Sequence, residues 1–174
     1  MKGAALLLLL AGCSGRDSDS SPDPTPVSRR LDRAAVRSGQ LPDAKTASPL
    51  GAYIADTDIG EDRLCVVGPT EHVRGARATV ELSVSYGSGG ACVARGTGEA
   101  VSGGLRLSLA RDCEFVARLD GARAVFPGTV PAGCQSVCSG RASLAGVTIP
   151  KRSDSTAEAS ALTDPQGRPL CLSA

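Results

Sequence analysis

Beyond Leu50, apolar and polar residues alternate with a period of two over most of the chain. Residues 79–86 show it plainly: Val80, Leu82, Val84 and Tyr86 alternate with Thr79, Glu81, Ser83 and Ser85, the pattern of a strand with one buried face. Leu105, Leu107 and Leu109 repeat it against Arg106 and Ser108. Cys113, Phe115, Ala117 and Leu119 lead into Asp120-Gly121, a strong hairpin signal, and Ala122, Ala124 and Phe126 lead out. A two-residue turn there sets Phe115 directly opposite Phe126. Gly87-Ser88-Gly89-Gly90 and Gly103-Gly104 read as further turns, and Gly96-Thr97-Gly98 as a turn or close-packing site. Strands spaced about eight to twelve residues apart predict an antiparallel meander, closed as a barrel or folded as a sandwich.

After Pro127 the rhythm blurs. Cys134 and Cys138 fall in a loop or a single helical turn, and residues 147–149 suit a last core strand. Ser155 with Glu158 imitates a capping box. Asp164-Pro165-Gln166-Gly167 ahead of Leu170-Cys171-Leu172 reads as a turn joining two strands, so the expectation here is a hairpin. The fold class is therefore mainly β: a small antiparallel meander or barrel-like domain over residues 49–174, with a short N-terminal helix and disulfide bonds.

That helix is expected at residues 28–40, with Ser28 as its cap, Gly39 at its end and Pro42 preventing continuation. Leu31, Ala34 and Ala35 form a weak apolar side, and Arg29, Arg30, Arg33 and Arg37 lie elsewhere. They read as a solvated face, with contact to anionic headgroups as the functional alternative. Residues 13–27, rich in Ser, Asp and Pro, cannot bury enough apolar surface to fold and are read as a tether. Residues 1–12 carry one lysine and then an apolar run of about ten residues, half the length needed to cross a hydrocarbon core, and read as a signal peptide. The run closes on Leu10-Ala11-Gly12-Cys13, which resembles a bacterial lipobox. The resemblance implies export, cleavage before Cys13 and lipid on its thiol; two or more acyl chains hold a protein stably to a bilayer. Ser14 stands where an aspartate usually signals inner-membrane retention, which implies an outer-membrane anchor facing the periplasm.

Of seven cysteines, Cys13 is assigned to lipid, leaving Cys65, Cys92, Cys113, Cys134, Cys138 and Cys171. In an oxidising compartment an even set reads as a disulfide framework, with fifteen possible connectivities. With Ser102-Gly103 as a turn, Cys92 and Cys113 come to one sheet end, and Cys92–Cys113 is the expected pair. Cystines offset a thin core, since the chain has two Tyr, two Phe and no Trp. A net charge of +1 supplies no electrostatic case for nucleic acid.

Candidate chemistry is sparse. Cys134 and Cys138 have the C-x₃-C spacing of envelope copper-delivery and redox proteins, which makes metal handling or thiol exchange the alternative function. Those proteins use a βαβ scaffold with a histidine, and this chain lacks that alternation. Its one histidine, His72, lies in a stretch with Gly68-Pro69 and Gly75 and reads as a surface loop residue. Ser88 and Ser143 have neither a Gly-x-Ser-x-Gly elbow nor a Ser-x-x-Lys partner. The sequence therefore assigns no catalytic residue, metal site or cofactor, and the expected role is non-enzymatic.

The stretch Ser88-Gly89-Gly90-Ala91 through Arg95-Gly96-Thr97-Gly98-Glu99-Ala100 to Cys113 is similar to a run in the periplasmic lipoprotein inhibitors of c-type lysozyme. That resemblance implies a loop inserted into the enzyme's cleft. Arg95 stands where a lysine is usual and the flanking aromatics are missing, so no binding residue carries over. A second resemblance is to lipocalin-like bacterial protease inhibitors, whose tryptophan this chain lacks. As a whole the chain resembles uncharacterised small lipoproteins of Gram-negative bacteria. The implied partners are a membrane, through lipid on Cys13, and a protein or glycan of the envelope.

Overall fold

A computed structural model describes residues 26–38, 48–69, 76–120, 122–164 and 166–171. Cys13, the signal-like segment, most of the expected tether and His72 lie outside the described residues.

Helix α1 spans Pro26–Arg37, beginning two residues before the expected cap. Proline suits a first helical turn because its missing N–H would have no partner there. The last two expected tether residues, Pro26 and Val27, are thus helical. At the other end Ser38 closes the helix, its N–H donating to Ala34 O (2.9 Å) and its hydroxyl to Ala35 O (3.0 Å).

Eight antiparallel strands follow: β1 (Gly51–Thr57), β2 (Gly60–Val67), β3 (Arg77–Ser85), β4 (Ala91–Val101), β5 (Gly104–Ala110), β6 (Cys113–Leu119), β7 (Arg123–Val125) and β8 (Thr148–Ser153). Each pairs with its neighbours in sequence and β8 pairs with β1, closing a barrel. Alternation drives this. In β6, residues of odd number are buried and those of even number exposed. An eight-stranded barrel has an interior just wide enough for side chains to fill, and here Tyr53, Leu64, Leu82, Leu107, Phe126 and Ile149 are among those that fill it. Exposed Arg95, Glu114 and Arg118 and half-buried Arg106 stand on the outside, the reverse of the apolar outer band of a lipid-facing barrel. Among the described residues no helix is long and apolar enough to cross a membrane.

Three local expectations are corrected. The β6–β7 register pairs Arg118 with Val125 and Leu119 with Ala124, and Asp120 N–H donates to Arg123 O (3.2 Å). This lies two residues from the register of an Asp120-Gly121 turn. An even shift leaves every side chain on its own face, so Phe115 and Phe126 are not opposite but still touch, edge to face, with centroids 5.1 Å apart.

Gly96-Thr97-Gly98 is not a turn; it lies within β4. A Cβ on Gly98 would come 2.8 Å from Val80 Cγ2, so the glycine serves close packing of the core.

The C-terminal hairpin is replaced by helix α2 (Thr156–Ser160), capped by Ser155 Oγ accepting the Glu158 N–H (3.2 Å). The turn after it closes on one bridge, Thr163 to Pro169, flanked by Asp164 N–H donating to Arg168 O and Leu170 N–H donating to Leu162 O (2.7 Å each). Ala159, Leu170 and Cys171 pack on Ala52 and Cys65 to form a second small core outside the barrel.

Candidate binding pole

The barrel has two unlike ends. At the proximal end the chain arrives at Gly51, beside the turns that join β4 to β5 and β6 to β7. The distal end carries the β1–β2 turn, residues 86–90, the β5–β6 turn and the long connection 126–147, which holds a 3₁₀ turn at Ala132–Val137.

At the proximal end the incoming segment is latched. Tyr53 OH donates to Pro49 O (2.8 Å), and Lys151 Nζ, 5.6 Å from the Tyr53 ring centroid, donates to Ser48 O (2.7 Å) and pairs with Asp154. Burial, with the negative charge of Asp154, pushes the Tyr53 phenol above its ordinary range. A neutral donor suits that buried site.

Disulfides tie down the distal end. Cys92 bonds to Cys138 and Cys113 to Cys134, pinning the 3₁₀ turn to β4 and β6. The expected Cys92–Cys113 pair does not form. Both cysteines do lie at this end, but β5 runs between β4 and β6, and strands two apart are separated by about 9–10 Å, beyond the Cα span of about 4.4–6.8 Å for a cystine. Each instead takes a cysteine from the connection crossing the pole. Cys134 and Cys138 are therefore not a dithiol pair, since each sulfur is bonded to a strand. The third bond, Cys65–Cys171, fastens the C-terminal strap to β2.

The glycine-rich loop is also locked. Gly87–Gly89 forms a 3₁₀ turn. Ser139 N–H donates to Ala91 O (2.8 Å), Arg141 N–H to Gly89 O (3.1 Å), and Ala91 N–H to Ser139 Oγ (3.1 Å). Tyr86 OH donates to Ser143 O. Gly90 has φ 125°, and a Cβ there would stand 2.2 Å from Ser139 O, so only glycine lets the two segments lie this close. Beside the loop, Ile59 is 56% exposed and its carbonyl accepts the Ser85 hydroxyl (3.2 Å).

A recess of about 220 Å³ opens under the 3₁₀ turn, lined by Thr129, Val130, Gln135, Ser143 and Leu144 among others, with no charged side chain in its lining. Ser143 Oγ accepts the Ala145 N–H (3.1 Å) and has no acid–base group beside it in that lining. The recess can take an uncharged side chain or ring; it holds no nucleophile–base pair. Among the described residues, no group of three His, Cys, Asp or Glu side chains is gathered as metal ligands.

Of the buried carboxylates, Asp62 lies toward this end and Glu81 midway along β3. Asp62, 9% exposed, has the lumen-facing parity of Leu64 and accepts the Ser85 N–H (2.8 Å). Burial pushes its carboxyl above the usual range, with the Ser85 N–H opposing. Glu81 holds Arg95 across the β3–β4 pair through two bonds, Nε at 2.8 Å and Nη2 at 3.0 Å. That hydrogen bonding and charge raise the guanidinium's pKa. Arg95 is thus committed to the sheet surface and is not part of the loop.

Sequence reasoning found the glycine loop and all six bonded cysteines. It missed the lock between residues 89–91 and 139–141, whose partners lie about fifty positions apart and, apart from the Ser139 hydroxyl, are backbone atoms that leave no side-chain signature. No family model matches the chain, and no curated protein or solved structure does either.

Proposed function

We propose that this chain is a lipid-anchored bacterial envelope protein that acts by binding and not by catalysis, with the distal pole as its partner-facing surface. The observation that carries this reading is the polarity of the barrel. The chain arrives at one end, and the loops braced by two disulfides and the glycine lock close the other. A tether from Cys13 would hold the proximal end toward the membrane and leave the braced end free. The filled lumen supports surface recognition over an enclosed ligand, and pre-ordered loops lose less entropy on association. A protein or glycan of the envelope is the partner class, and a hydrolase cleft that accepts the 87–90 loop is its sharpest form.

The anchor is tested by Cys13→Ala, which is expected to abolish labelling with a palmitate analogue and to block signal removal; an unchanged label would refute it. The inhibitor form is tested by a turbidity assay with a c-type lysozyme. Slowing at near-stoichiometric protein is expected, and full activity at large excess would discard the inhibitor while leaving the anchored binding role. Thiol counting addresses the metal or redox alternative: the native protein is expected to show no reactive thiol at Cys134 or Cys138, and two there would revive that alternative.

A further inference from the structure

Helix α1 is unlike the rest of the molecule in charge and in exposure. Its twelve residues carry Arg29, Arg30, Arg33 and Arg37 against Asp32, a net +3. The whole chain sums to +1, so everything outside α1 sums to −2. Positive charge is concentrated on one short element of an otherwise slightly acidic protein. At 3.6 residues per turn, Val27, Leu31 and Ala34 fall on one side and Arg30, Arg33 and Arg37 on an adjoining one. Val27 and Leu31 are each 66% exposed, so the apolar side is not used as core.

We propose that α1 is a membrane-surface contact: its arginines meet the anionic phospholipid headgroups of the leaflet that holds the anchor, and Val27 and Leu31 enter the headgroup boundary. A short helix with a cationic side and a modest apolar side is suited to lie in that plane, and cations near an anionic leaflet are attracted within about a Debye length. Chain length agrees. Twelve residues lie between Cys13 and Pro26, and the thirteen steps from one to the other reach at most about 45 Å, so a lipid on Cys13 would keep α1 close to the surface. The placement rests on the anchoring reading; the attraction of α1 for anionic lipid does not.

Because the chain has no tryptophan, Leu31→Trp supplies a single fluorescent probe on α1. The full chain carrying it is mixed with vesicles of phosphatidylcholine alone and with vesicles containing phosphatidylglycerol. Expected with phosphatidylglycerol are a blue-shifted indole emission and a several-fold drop in acrylamide quenching. Both changes should vanish in about 1 M salt, where the Debye length is about 3 Å, and when Arg30→Glu and Arg37→Glu are added. A water-like indole on a chain that floats with the phosphatidylglycerol vesicles would overturn the proposal. So would an equal shift with phosphatidylcholine, or a shifted emission before any vesicle is added, which would mean that α1 packs on protein. Failure of the anchor is separate, because it appears as absent acyl label on Cys13.

Discussion

Asp62 is a carboxylate whose surroundings disfavour its charge, and the sign of its effect follows. A carboxyl whose folded pKa lies above its unfolded value holds more protons folded than unfolded. Its stabilising contribution is fully present below the unfolded value of about 3.9 and is lost as pH rises through the folded pKa. Asp62→Asn keeps an acceptor for the Ser85 N–H and carries no charge. It is expected to raise the Tm near pH 7, by a margin that closes as the pH falls below the carboxylate range; an equal or lower Tm at neutral pH would contradict this. Phe115 gives the opposite case. Buried against Phe126 in a core with few aromatics, Phe115→Ala is expected to cost about 3–5 kcal/mol in urea unfolding. A loss near zero would mean that the ring is not part of the core.

Among the elements, strands whose two faces differ in polarity are legible in the sequence and strands apolar on both faces are not. β5 and β6, each with one wet face, declare themselves by alternation, and so does β3, whose polar Glu81 and Ser83 stand on the outer face although that face is buried. In β2, Leu64, Cys65 and Val66 are buried in succession, because the lumen takes two of them and the C-terminal strap covers the third. Ala52 in β1 is likewise covered from outside by the second core. Apolar residues on both faces erase the period of two, so neither strand shows it. β4 was obscured by the glycines at positions 96 and 98. Ser155 with Glu158 carried a true cap, outweighed in the reading by a turn motif that also exists but closes only one bridge. In that turn Asp164 is pushed up by burial but held below the usual carboxylate range by the N–H groups of Arg168 and Gln166 and by the Arg168 guanidinium.

The distal pole follows the same logic. Its glycine loop was visible as a turn, whereas its rigidity depends on Gly90 and Gly140 passing close to backbone. Gly90→Ala combines a φ of 125° with a Cβ 2.2 Å from Ser139 O, and strained backbone costs of order 1–3 kcal/mol. The amides of Ser139 and Arg141 are expected to exchange faster with deuterium in that variant while those of β6 keep their protection. Unaltered exchange at Ser139 would mean that the lock is not what holds the loop.

For the whole molecule, the cysteine pairing has a consequence in time. Cys113–Cys134 lies within Cys92–Cys138, which lies within Cys65–Cys171. A chain emerging N-terminus first into an oxidising space presents Cys65 and Cys92 before any of their partners. Oxidation in order of arrival would join those two, and among pairs of sequence neighbours only Cys113–Cys134 is also native. The remaining bonds must then be reached by thiolate attack on a bond already made. Cys13→Ala protein exported into an oxidising compartment that lacks disulfide isomerase, and thiol-blocked during export, is expected to accumulate a Cys65–Cys92 species in non-reducing peptide maps, and restored isomerase to clear it. Prompt arrival at the three native bonds without help would show instead that the barrel forms first and selects its own cystines. In the expected case, the yield of this protein is set by the shuffling capacity of the compartment where it folds.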